Sequence, residues 1–118
     1  MKTLLIALFI LTLAIPAFVE PDSLKGLKTA KFVVDLNQGE ANKLKTSLSF
    51  ILETMDNITE SGVNPVVVVA VRGPASRFIT ISNSYVAPED VKIKNEIADL
   101  ANELSNRGVK LEQCAVAL

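Results

Sequence analysis

Pro65-Val66-Val67-Val68-Val69-Ala70-Val71 is the stretch on which the fold turns. A continuous apolar, mostly β-branched run without polar alternation reads as a strand buried on both faces, the mark of a parallel sheet covered by helices. Arg72-Gly73-Pro74 closes the run, and Ser61-Gly62 stands before it as a helix stop. Upstream of that stop, from about Glu40 to Glu60, Leu44, Leu48, Ile51, Leu52, Met55 and Ile58 line up as one helical stripe. Lys43, Lys45, Glu53 and Asp56 fall mostly on the opposite side. Before the helix, Lys31-Phe32-Val33-Val34-Asp35-Leu36 is a short β-rich run ended by the loop signal Asn37-Gln38-Gly39.

Downstream the same alternation continues. Pro88-Glu89-Asp90 opens a second helix, with proline and acids where a first turn favours them. Its stripe is Ile93, Ile97, Leu100 and Leu104, with Ala98 and Ala101 as smaller neighbours, and Gly108 ends it after Arg107. Val109 to Leu118 is the last strand candidate. Between Pro74 and Ser82 two readings stay open: a short helix through Ala75, Phe78 and Ile79, or a strand over Phe78-Ile79-Thr80-Ile81-Ser82. Asn83-Ser84-Tyr85 reads as loop. Strand, helix, strand, helix, strand predicts an α/β domain with right-handed crossovers. The expected architecture is a three-layer α/β/α sandwich on a short, mostly parallel sheet, in a flavodoxin-like arrangement.

The N-terminus reads differently. Met1-Lys2, an apolar stretch from Leu4 to Ala14 broken only by Thr12, and Ile15-Pro16-Ala17 have the layout of a secretory signal peptide cleaved after Ala17. Residues 3–19 fall short of the ~20 apolar residues that span a bilayer comfortably, so an uncleaved anchor is the alternative. Residues 18–30, with Glu20-Pro21-Asp22-Ser23 and Lys25 and Lys28, read as a tether, and 31–118 as the domain. Losing residues 1–17 removes one lysine and no acid, leaving 11 of the 12 basic residues against 13 acidic ones. That weakly negative balance makes nucleic acid a poor partner. With no histidine and one cysteine, the usual His/Cys metal sites are excluded and no cofactor is expected. The odd thiol of an exported chain is an intermolecular bond, a reactive group or a buried spectator. Asn57-Ile58-Thr59 matches a glycosylation sequon but lies inside the first helix, so it is discounted.

Several phrases carry a resemblance. They are Glu40-Ala41-Asn42-Lys43-Leu44-Lys45-Thr46-Ser47-Leu48, the strand end Val69-Ala70-Val71-Arg72-Gly73-Pro74-Ala75, and Leu100-Ala101-Asn102-Glu103-Leu104-Ser105-Asn106-Arg107-Gly108-Val109 leading to Lys110-Leu111-Glu112-Gln113-Cys114. Together they resemble the DsrE/DsrF-like family of sulfur-relay proteins across roughly residues 31–118, the Arg-Gly-Val-x-x-x-x-Cys phrase being the most specific. The resemblance implies an oligomer of like or related subunits, with a sulfur donor or acceptor protein as a further partner. It also implies a persulfide-accepting role for Cys114. Two departures stand against the pattern. Arg72 replaces the histidine common in relatives, and relatives continue through a further strand and helix, so a domain short of both is expected here.

Cys114, at the end of a strand, is the candidate catalytic residue, because open α/β sheets place reactive groups outside the carboxyl ends of their strands. A thiolate is favoured by a helix N-terminus or a nearby cation. Arg72 is the candidate cation, against the reading of a strand-end charge paired with an acid. Gly73, with Pro74, is a weak candidate for close backbone approach to a ligand, against a plain strand end. Asp35 and Asn37 end the first strand and fall near the same crevice. Tyr85, Phe78 and the methionines are candidates for an oligomer contact. The leading function is an exported, periplasmic persulfide carrier or relay subunit rather than an independent enzyme. The alternative is a small-molecule-binding or assembly subunit whose cysteine is buried and inert.

Overall fold

The valine run forms the central strand of a three-stranded, all-parallel sheet. The computed structural model describes residues 22–114; the expected leader, the start of the tether and residues 115–118 lie outside them. Within them the order is β1 (Thr29–Leu36), α1 (Ala41–Glu60), β2 (Asn64–Val71), α2 (Val91–Asn106) and β3 (Lys110–Gln113). Short 3₁₀ segments occupy Asp22–Leu24, Gly73–Phe78, Asn83–Tyr85 and Pro88–Asp90. The strands lie side by side as β1-β2-β3, with Val33 opposite Val68 and Val68 opposite Lys110. The α/β class and the parallel sheet are those the alternation predicts. Among the described residues, no helix is long and apolar enough to cross a membrane.

The stripe of α1 behaves as its spacing dictates. Leu44, Leu48, Ile51, Leu52, Met55 and Ile58 are all buried, with Leu44 and Leu48 fully so. Each fully buried leucine contributes on the order of 1.5–3 kcal/mol. They pack on Leu36, Val67, Val69 and Val71 from the sheet and Ile97 and Leu104 from α2. Both helices end in a Schellman motif: Gly62 and Gly108 adopt positive φ, and the N–H of Val63 and of Val109 donates to the carbonyls of Ile58 and Leu104. The 74–82 ambiguity resolves to a 3₁₀ turn that places Phe78 in the core. Phe78 and the buried Met55 are therefore core residues, not the oligomer contacts expected of them, whereas Tyr85 is exposed.

Layering departs from expectation. The valine run is not buried on both faces: Val67, Val69 and Val71 point into the core, but Val66 is 40% exposed, and Val33 of β1, beside Val68, is 70% exposed. Strand order supplies the reason. Two crossovers of the same hand, each stepping in the same direction across the sheet, deposit both helices on one face. A flavodoxin-like order would instead put the first strand inside the sheet and divide the helices between its faces. Ion pairs confirm that α1 and α2 run side by side: Lys45–Glu96 joins their amino-terminal halves at 2.6 Å, and Arg107–Asp56 their carboxyl ends at 2.6 Å. The described residues thus form two layers, with the second sheet face uncovered. The strand also begins at Thr29, inside the segment read as tether.

Candidate functional site

Three strand ends converge at the carboxyl edge of the sheet. Leu36 pairs with Val71 and Val71 with Gln113, so the next residue on each strand brings Asn37, Arg72 and Cys114 into one row. The backbone N–H of Cys114 donates to the Val71 carbonyl at 2.9 Å, and that of Arg72 to the Leu36 carbonyl at 2.9 Å. Cys114 is exposed, so the buried cysteine of the alternative reading is not what the fold provides. Leu111 packs against the core, while Lys110 and Glu112 face outward. Alternation along β3 therefore assigns Cys114 to the open sheet face.

Arg72 is committed to a partner. Its Nε donates to Asp35 Oδ1 at 2.7 Å and its Nη2 to Oδ2 at 2.6 Å, a bidentate clamp between the ends of β1 and β2. Both side chains are 53% exposed, so the clamp orients more than it stabilises. The hydrogen bonds, then the guanidinium charge, hold the Asp35 carboxyl below the usual aspartate range against slight desolvation. In return, hydrogen bonding to Asp35 and its charge raise Arg72, with a smaller contribution from neighbouring Cys114. The strand-end pairing of Arg72 with an acid, the alternative of the sequence reading, is therefore what the fold shows; Asp35 is that acid, and Cys114 stands in the same row of strand ends.

Gly73 begins the 3₁₀ turn with φ of +57°, directing the chain over the strand ends. The closest approach in this region belongs to another residue. A Cβ on Gly39 would lie 2.8 Å from Pro74 Cβ, so the β1–α1 loop and the turn after β2 touch backbone to ring. Arg77 Nη2 ties them further, donating to the Gly39 carbonyl at 2.6 Å. Ser76, within the turn, is fully buried; its carbonyl accepts from Gln113 Nε2 at 3.2 Å, while its hydroxyl has no partner among the described residues. No cluster of three metal-ligating side chains occurs among the described residues.

A groove of about 420 Å³ lies elsewhere, between α2, residues 78–83 and Leu111 of β3. Cys114, Arg72 and Gly73 do not line it. Its charged lining residue is Lys94, only 4% exposed, whose ammonium donates to the Ser82 carbonyl at 2.6 Å and to Asn83 Oδ1 at 3.0 Å. The predicted stripe holds, with Ile97 and Leu104 buried and Ile93 and Leu100 packed against the core; Lys94 and Ala101 are buried beside it, and Ala98 is exposed. A lysine three positions before Ile97 was the signal available for this feature. No family model matches the chain, and no curated protein or solved structure matches it either, so the functional reading rests on these residues and their chemistry.

Proposed function

We propose that the chain is a DsrE-like persulfide carrier or relay subunit that works through Cys114, exported by way of residues 1–17 and acting with like or related subunits and a sulfur-donating protein. The observation that carries this reading is an exposed thiol at the carboxyl edge of a parallel sheet, beside an arginine held in place by Asp35. The chemistry is a transpersulfidation. The Cys114 thiolate attacks the outer sulfur of a donor persulfide, the donor S–S bond breaks, and the electron pair leaves on the donor thiolate. A new S–S bond forms on Cys114 with no net oxidation. Arg72 supplies a cation beside the anionic sulfur at each stage. Its role is electrostatic, since guanidinium cannot act as a proton donor at neutral pH.

Mass spectrometry after exposure to polysulfide tests the proposal. The expected result is one added sulfur on the peptide containing Cys114, absent in Cys114→Ser and slower to form in Arg72→Ala. No adduct, with the thiol inert to alkylation in the folded protein, refutes it. The separate groove around Lys94 favours a second reading, a small-molecule-binding subunit, which would show as ligand-dependent stabilisation unaffected by Cys114→Ser.

A further inference from the structure

All-parallel sheets are found with both faces covered, yet the described residues cover only one face of this one. The open face carries Val33, Val66, Val68 and Ala70 at its centre, Lys31 and Asp35 on β1, and Lys110 and Glu112 on β3. Exposed valine is concentrated there, at 70% for Val33 and 40% for Val66.

We propose that this face is closed by a second copy of the chain, the two sheets stacked with their strands antiparallel about Val33. The charge order on β1 is the reason. Lys31, Val33 and Asp35 stand in line on the open face, a cation, an apolar residue and an anion. A two-fold axis crossing the strands at Val33 sets Val33 against its counterpart and Val68 against Val68. Each Lys31 then meets the partner's Asp35. Lys31 has no ion-pair partner among the described residues, so it is available, and Asp35 keeps exposed carboxylate surface beside its arginine. At the other rim Lys110 meets its own counterpart, each copy already neutralised by Glu112 at 2.7 Å. The alternative stacking, with strands parallel, is disfavoured: it sets Asp35 over Glu112 and Val33 over Lys110, by the register of the sheet.

Two eight-residue strands about 26 Å long and a four-residue third about half that length, spaced about 4.8 Å apart, give a flat footprint of roughly 300 Å² per copy. Two such footprints bury well under the ~1,000 Å² in total that a stable specific interface clears, so a weak, transient dimer is expected rather than an obligate one. The same geometry sets the two Cys114 residues at opposite ends of the interface, roughly 26 Å apart along the strands, so no disulfide joins the copies. The proposal goes beyond the carrier reading and does not rest on it.

Sedimentation equilibrium of the full chain in reductant, from about 1 to 100 μM, tests it. The wild type is expected to dimerise reversibly, and Val33→Lys and Lys31→Asp to weaken the dimer about tenfold or more. Far-UV circular dichroism checks that each variant is folded; Lys31→Asp changes an exposed residue away from the core. Lys31→Asp and Asp35→Lys each set like charges against each other alone, whereas mixing them sets an acidic strand against a basic one and restores the dimer. Four results overturn the proposal: a monomer throughout the range, a dimer indifferent to Val33→Lys, a dimer that reductant dissolves, or a monomer in which Val33→Cys resists alkylation because the chain covers its own sheet.

Discussion

Replacing Gly39 by alanine tests whether the carboxyl edge of the sheet is built by a contact no larger side chain tolerates. The added Cβ would lie 2.8 Å from Pro74 Cβ and 3.3 Å from its Cγ, well inside ordinary carbon–carbon contact. A proline ring cannot swing aside, and Arg77 pins the Gly39 carbonyl from the same side. Overpacking of this kind costs roughly 1–3 kcal/mol. Against it stands the loss of glycine's freedom in the unfolded chain, which stabilises alanine variants by about 0.4–1 kcal/mol. At mid-range the steric effect is the larger, for a net loss of about 1 kcal/mol within bounds of about 0–2.6. In a domain this small each kcal/mol moves the midpoint by about 4–8 °C, so a fall of several degrees is expected in thermal unfolding. The alkylation rate of Cys114 should shift as well, because relief requires the turn after β2 to move beside it. An unchanged or raised midpoint would refute the claim that this approach is tight.

Ser76→Ala is expected to be neutral or stabilising by about 1 kcal/mol in urea unfolding, since it removes a buried hydroxyl without a partner; a clear loss would mean the hydroxyl is satisfied. Lys94→Met keeps the apolar stem but removes the charged donor to Asn83 Oδ1 and the shorter of two bonds to the Ser82 carbonyl, which Thr80 Oγ1 also reaches at 3.0 Å. About 1–3 kcal/mol should be lost, with faster proteolysis between residues 79 and 86, and a gain in stability would contradict the account. The Asp35–Arg72 clamp is sensitive to acid. Because the folded Asp35 carboxyl titrates below its ordinary value of 3.8, its contribution is present above that pH and is lost as pH falls through the lower, folded value. Thermal midpoints taken across this acid range should fall less steeply for Asp35→Asn than for the wild type, and parallel curves would sink the assignment.

Much of this fold was legible because it is written locally. The α1 stripe, the two glycine stops and the end of β1 at Leu36 each follow from residues within a few positions of one another. On α2 the hydrophobic reading found the stripe but passed over Lys94, a buried lysine whose ammonium reaches back to the loop before the helix. The site was legible in its members and not in its bonding. Strand ends put Asp35, Arg72 and Cys114 near one edge, but only the register of the sheet makes Asp35 the arginine's partner. The thiol's exposure was not legible either, since cysteine packs in cores as readily as it reacts.

The valine run shows where local reading must stop. Val66 and Val67 are neighbours of the same type, and one is 40% exposed while the other is 3% exposed. No property of the residues separates them; strand order does, because it decides on which face both crossover helices land. A strand-central run of valines says that both faces favour apolar cover, and the described residues supply cover to one. The residues on the bare face therefore carry information that a finished core would hide. Were that face meant for water, alternation with polar residues would be expected along β2, as in sheets with a solvated side. Instead its central positions are Val66, Val68 and Ala70, and the charges are confined to the flanking strands. An apolar centre between charged rims is the anatomy of a surface that meets another protein surface.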